Sequence, residues 1–221
     1  MNEILFLIII IIPSITNGLL RSTYSKYSNM ENTINITGKD AARKILDING
    51  LTDVKIKQTH GFLTDHYDPI SKTIVLSEHI YSGKSIASIS VASHEVGHAI
   101  QHKESYGFLT FRTALVPVVN FSCKLSSITL ILGIFLGAFG LIKFSILLLC
   151  ISLLFQLITL PVEFNASNKA KKQLKKIGLI STKDENGVEK MLKAAAYTYV
   201  AAFLATSLQV LRLILLTKRR D

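Results

Sequence analysis

Only two cysteines, Cys123 and Cys150, occur in the chain, so no disulfide-stapled secreted scaffold can be built from it. With 12 glycines and 4 prolines it cannot be collagen-like either. Charge is scarce: 18% of the 221 residues are Asp, Glu, Lys or Arg, against about 25% in an ordinary soluble domain. Acidic residues are the rarer sign, 15 against 25 Lys and Arg, which leaves a formal net charge of +10. A disordered chain would be polar, whereas this one is 49% hydrophobic with a mean hydropathy of +0.39. Basic charge alone points to nucleic acid. Beside long apolar runs it points to a membrane surface.

Those runs are long. Ile4 to Ile12 is unbroken, and the stretch to Leu20 extends it close to the lower limit for a spanning helix. A signal peptide would carry Lys or Arg before the run and a small-x-small cleavage site after it; neither is clear, so an uncleaved anchor is expected over 1–20. Leu125 to Ile142 and Phe144 to Val162 are separated by Lys143 alone, which reads as a transmembrane hairpin turning at that lysine. Gly133 and Gly137 give it a small-xxx-small spacing. With the turn at Lys143, Cys123 and Cys150 would sit about 20 Å apart along the axis, too far for a disulfide.

Basic residues orient the chain. Arg21 and Lys26 follow the first run, and Lys169, Lys171, Lys172, Lys175 and Lys176 follow the third. Both flanks are expected in the cytoplasm by the positive-inside rule, with the five lysines a solvated face toward anionic lipid. A fourth stretch, Ala194 to Leu216, carries Tyr197, Tyr199, Gln209 and Arg212. Its tail Lys218, Arg219 and Arg220 prefers the cytoplasm, so a non-spanning or incompletely inserted helix is expected.

Between the first two runs lies a soluble domain. Residues 21–36 read as a polar linker. Thr37-Gly38-Lys39-Asp40 resembles a capping box for a helix burying Ala41, Ala42, Ile45 and Leu46 and stopping near Gly50. Val54 to Lys57 and Thr73 to Leu76 read as strands. Ser85 opens a helix to about Lys103.

That helix contains His94-Glu95-Val96-Gly97-His98, an H-E-x-x-H. Residues four apart share a helical face, so both imidazoles can hold one Zn²⁺. Glu95 is placed to take a proton from a water on that metal. Gly97 costs helix stability and suits a site needing close backbone approach. His102 shares the face but lies about 12 Å from His94 along the axis, too far for the same ion. Gln101 and Glu104 occupy positions where the metzincin pattern needs Gly and His. A His₂Glu site then needs a downstream Glu. Glu104 is too close in sequence, and Glu185 and Glu189 sit beside a turn-like Asn186-Gly187. Glu163 stands at the end of the third apolar run, where a carboxylate needs a partner such as a metal; the competing reading is a helix N-terminal acid behind Pro161.

Five segments together resemble a known family: Gly61 to Pro69 (GFLTDHYDP), Ser93 to Lys103 (SHEVGHAIQHK), Leu115 to Asn120 (LVPVVN), Leu160 to Ser167 (LPVEFNAS) and Tyr197 to Ala202 (YTYVAA). They are similar to the YugP-type neutral zinc metallopeptidases of bacterial membranes and, more distantly, to HtpX- and Ste24-type membrane proteases. The resemblance implies a mainly α fold with a small β-hairpin or sheet. It also implies an integral membrane zincin of gluzincin type, with a transmembrane helical hairpin between H-E-x-x-H and the Glu ligand. The divisions would be an anchor at 1–20, a zincin-like domain at 21–112, the hairpin at 113–162, and the Glu-ligand helix with a C-terminal apolar helix at 163–221.

One Zn²⁺ would be held by His94, His98 and Glu163, with Glu95 as general base. His66, Tyr67, Tyr197 and Tyr199 are candidates for oxyanion or substrate contacts. In the distant relatives the Glu often begins an E-x-x-x-D pattern. Ser167 stands at that Asp position, so Ser167 or Asn165 is the candidate to orient a zinc histidine. The Gly61 to Leu76 segment would offer a strand edge to an extended peptide or membrane-protein substrate. The expected setting is the cell membrane, multi-pass, with the active site at the cytoplasmic face and no nucleic-acid partner.

Two rival classes remain. A catalytically inactive membrane zinc-binding or scaffold protein would have no need of an intact Glu95. A transporter or insertion factor would need ionisable groups inside its spans, and the hairpin offers only Lys143.

Overall fold

A computed structural model describes residues 2–218. Its elements are α1 (Asn2–Ser28), α2 (Gly38–Ile48), β1 (Lys55–Thr59), β2 (His66–Asp68), β3 (Thr73–Ser77), α3 (Glu78–Tyr81), α4 (Ile86–Lys103), α5 (Gly107–Phe135), α6 (Phe139–Lys176) and α7 (Thr182–Lys218). The chain is mostly helical with one small sheet. Four helices, α1, α5, α6 and α7, are long and apolar enough to cross a membrane. The residues group into two compact units. One comprises Gly18–Leu109 with Val162–Ala196; the other comprises Met1–Asn17, Thr110–Pro161 and Tyr197–Asp221.

The first unit is built around α4. Its sheet has the order β1-β3-β2, with β1 parallel and β2 antiparallel to β3, so both β1 and β2 are edge strands. Ile74 and Leu76 on β3 are fully buried and meet Ala41, Ala42, Ile45 and Leu46 of α2 and Ile89, Ala92, Val96 and Ala99 of α4 in one core. Each such Ile or Leu contributes about 1.5–3 kcal/mol. The helix starts follow local chemistry. Thr37 Oγ1 accepts from Asp40 N at 3.1 Å, and Ser85 Oγ from Ser88 N at 3.0 Å. Gly50 ends α2 with φ +65°.

Residues 21–28, expected in a linker, continue α1 instead. Tyr24 and Tyr27 are three apart on one helical face and bury themselves in the core, which outweighs the polar composition around them. Asn186-Gly187 is likewise helical. A Cβ on Gly187 would stand 2.9 Å from the Tyr27 ring and 3.0 Å from Ile86, so the glycine serves close packing and not a turn.

The second unit is all helical. The α5–α6 turn falls at Leu136–Ala138, not at Lys143, which lies inside α6. Gly137 takes φ +65°, and Ala138 N donates to Gly133 O at 2.9 Å, the helix ending that a left-handed glycine permits. Gly133 faces the returning helix; a Cβ there would meet Ile142 Cγ1 at 2.7 Å. Ser126 Oγ donates to Ser145 O across the pair at 3.1 Å. With the turn at Gly137, Cys123 and Cys150 stand at nearly equal sequence distances from it, so the axial-offset argument against a disulfide fails. Both are nonetheless free thiols, Cys123 lying 3.0 Å from Ser152 Oγ.

The last helix is also longer than expected. α7 contains a stretch long and apolar enough to cross a membrane. Its Arg212 stacks over the Phe6 ring at 4.7 Å. Leu213 and Leu216 share a cavity of about 220 Å³ with Gly133 and Ile142 at the hairpin end. The end of α7 therefore lies beside both the start of α1 and the hairpin turn. Arg219 and Arg220 of the basic tail lie outside the described residues.

Candidate metal centre

Two helices of the first unit carry the cluster. α4 presents His94 and His98 one turn apart, their rings edge to face with centroids 4.8 Å apart. α6 brings Glu163 against them: its Oε2 is 3.2 Å from His94 Nε2 and 3.7 Å from His98 Nε2. Glu163 is 2% exposed and lies well inside α6, with Pro161 also in the helix interior, so the reading of a helix N-terminal acid does not apply. Glu104, Glu185 and Glu189 are engaged elsewhere, by Lys169, Lys175 and Lys171. Three of the five lysines therefore knit helices together and do not form a free basic face.

The approach of the two helices depends on Gly97. A Cβ there would stand 2.4 Å from Ala166 O and 3.0 Å from Ala166 C, both backbone atoms that cannot swing away. Gly97→Ala should therefore weaken the protein by about 1–3 kcal/mol despite alanine's better helix propensity. It should also lower the zinc content of the purified protein, read together with thermal unfolding in detergent. A raised Tm with full zinc would contradict this account.

Hydrogen bonds aim the imidazoles. Ser167 Oγ lies 3.2 Å from His94 Nδ1. His98 Nδ1 lies 3.0 Å from Gln101 Oε1, and Gln101 Nε2 donates to Val162 O at 2.8 Å and to Asn165 Oδ1 at 2.9 Å. Ser167 thus touches a histidine directly, whereas Asn165 acts one residue removed, through Gln101. Gln101 was passed over in the sequence, although it lies three residues beyond His98 on the same helical face.

The donor set fits zinc. The ligand atoms of His94, His98 and Glu163 all lie within 4.8 Å of one another. Ligands about 2.0–2.1 Å from one tetrahedral ion stand roughly 3.3 Å apart, close to the observed contacts. Two neutral imidazoles and a carboxylate are a common catalytic zinc set, and three protein ligands leave a fourth position open. Glu95 is buried on the same helix, and burial pushes its carboxyl up to about 7, against the opposing pull of His94. A nearby dication would favour its charged, proton-accepting form.

The remaining candidates separate. His66, on edge strand β2, is exposed and points Nδ1 at Thr64 O, 2.9 Å away; when protonated it favours the charged form of Glu95. The neighbouring Asp65 carboxylate accepts from Ser77 N at 2.7 Å and holds this loop to β3. Tyr67 bonds His102 Nδ1 at 2.9 Å, and burial pushes its phenol up to about 12, so it stays protonated. Tyr197 and Tyr199 belong to the helical unit, both exposed on α7. A groove of about 630 Å³ lined by Arg21, Tyr24, Phe62, His79 and Lys84 contains none of the cluster.

Fold and cluster together describe a mostly helical protein with four membrane-capable helices and a His-His-Glu group able to hold a metal ion. Over residues 3–218 the chain matches, and belongs to, the family described as "putative neutral zinc metallopeptidase". A relative is the "putative membrane protease YugP" of Bacillus subtilis (strain 168), 50% identical over 197 residues, 89% of this chain and 88% of that one. No solved structure matches.

Proposed function

We propose that the protein is a multi-pass membrane endopeptidase of the zincin type, with one Zn²⁺ held by His94, His98 and Glu163. The observation that carries this reading is the meeting of Glu163 Oε2 with both histidine Nε2 atoms, 3.2 and 3.7 Å away, beside a buried Glu95. Zinc, when bound, supplies Lewis acidity, polarising a scissile carbonyl and acidifying water. Glu95 takes the proton of the attacking water and returns it to the leaving amine, so peptide and water are consumed and a carboxylate and an amine are released. The free edge of β2 offers main-chain hydrogen bonds to an extended peptide or membrane-protein substrate. His66, on that strand, is placed to donate to developing negative charge when protonated. An inactive zinc-binding scaffold would need neither Glu95 nor the open ligand position.

The active site faces the cytoplasm in this reading. Arg21 and Lys26 close the apolar part of α1, and the lysines of α6 follow its apolar part; both mark a cytoplasmic boundary. α5 and α6 form the membrane hairpin. If α7 spans as well, Lys218 falls on the side of the hairpin turn, and the larger basic cluster at the end of α6 sets the orientation against it.

One experiment tests the chemistry and the side. Inverted membrane vesicles carrying the protein should cleave an added unfolded membrane-protein substrate. A membrane-impermeant chelator should abolish cleavage, and zinc should restore it. Right-side-out vesicles should show no cleavage of added substrate. Cleavage indifferent to chelation would overturn the zinc mechanism; cleavage confined to right-side-out vesicles would overturn the cytoplasmic assignment.

A further inference from the structure

Gln101 is fully buried, and nothing in its amide is left to chance. Val162 O is a carbonyl and can only accept, so the amide group facing it at 2.8 Å must be the NH₂. The second amide hydrogen goes to Asn165 Oδ1 at 2.9 Å. Gln101 Oε1 is thereby turned toward His98 Nδ1, 3.0 Å away, and an amide oxygen can only accept. Nδ1 of His98 must carry its proton. In the neutral ring Nε2 then has a bare lone pair, directed at the side where Glu163 Oε2 stands 3.7 Å off.

Both amide hydrogens of Gln101 are spent on α6, the helix that carries Glu163, at residues one before and two after it. The amide orientation therefore depends on α6 being docked. With α6 withdrawn, nothing else described around Gln101 distinguishes its oxygen from its nitrogen, and His98 loses its bias.

We infer that Gln101 is a positioning residue that makes assembly of the metal site cooperative: the helix that delivers the third ligand also sets the second ligand in its metal-binding tautomer. The carboxylate that commonly orients a metal histidine is replaced by a carboxamide, which can accept from the histidine and donate to the incoming helix at once. A carboxylate could do only the first. This rests on the proposed function only in taking the cluster as a metal site.

The test uses the full chain in detergent micelles, metal-free and labelled with ¹⁵N-histidine, at pH 8, where an ordinary imidazole is neutral. Long-range ¹H–¹⁵N spectra report which nitrogen of His98 is protonated. Zinc affinity is measured separately, by competition with a chelator. In the wild type His98 is expected as the Nδ1–H form. Gln101→Leu should shift it toward Nε2–H and weaken zinc binding by about 10–100-fold. Gln101→Glu keeps an acceptor for His98 and should preserve the tautomer and hold zinc affinity above that of the leucine variant. If the leucine variant does not fold, Gln101→Met, which keeps side-chain length, takes its place. Wild-type tautomer and affinity in the apolar variant would overturn the inference. So would equal losses in the apolar and glutamate variants, which would mark packing alone. Peptide cleavage does not enter either readout. A wild type with the expected tautomer and zinc affinity but no peptidase activity would overturn the proposed reaction and leave this inference standing.

Discussion

Glu95→Gln is expected to abolish peptide cleavage while zinc stays bound. The substitution keeps shape and removes only the ability to take a proton. General-base catalysis is worth about 10²–10⁴-fold, and a loss of that size in kcat is expected with little change in KM. Zinc should remain because Glu95 is outside the His94, His98 and Glu163 cluster. It should bind somewhat more weakly without being lost, since the dication and the Glu95 charge favour each other. Cleavage of an unfolded substrate and zinc content, measured on the same preparation, check both halves. Cleavage at the wild-type rate would remove Glu95 from the mechanism. Loss of zinc together with cleavage would turn Glu95 into a structural support for the site.

What could be read along the chain follows from the range of the forces involved. The pair His94 and His98 is a local feature, because one helical turn brings them together whatever else the fold does. The caps at Thr37 and Ser85 are local too. The sequence is silent where a residue's role is set by something distant along the chain. Lys143 stood out as the break between apolar runs, yet the turn belongs to Gly137, whose left-handed backbone ends α5. Arg21 to Ser28 looks like a linker because Ser, Thr, Arg and Lys dominate it, while Tyr24 and Tyr27 are the residues that matter. Asn186-Gly187 looked like a turn until Tyr27 and Ile86 are seen packed on Gly187. The lysines that close α6 read as a solvated face, and only the fold shows that Glu104, Glu185 and Glu189 pair with three of them. Gln101 shares a helical face with His98, but its contacts to Val162 and Asn165 exist only once α6 has arrived.

Glu163→Ala should lower zinc affinity by more than 100-fold, beyond the 10–100-fold that follows loss of a supporting group. The argument is one of position. Four glutamates lie downstream of His98, and composition alone cannot choose among them. Three are held by lysines at half-exposed or exposed positions, where an ion pair contributes about 0–1 kcal/mol. Glu163 is the exception: it is buried, and its Oε2 meets two imidazoles. A buried carboxylate is costly unless compensated, and a dication shared with both histidines compensates it in a way neutral imidazoles alone do not. Glu185→Ala and Glu189→Ala should accordingly leave zinc affinity unchanged within a few-fold. Isothermal titration of the metal-free proteins separates the cases. Unchanged zinc affinity in Glu163→Ala would move the third ligand elsewhere. A loss shared by all three variants would mean that the α6–α7 ion pairs, and not a ligand, were being measured. A loss confined to Glu163→Ala would identify Glu163 as the third ligand, so that the site needs a side chain delivered by α6 as well as the two on α4.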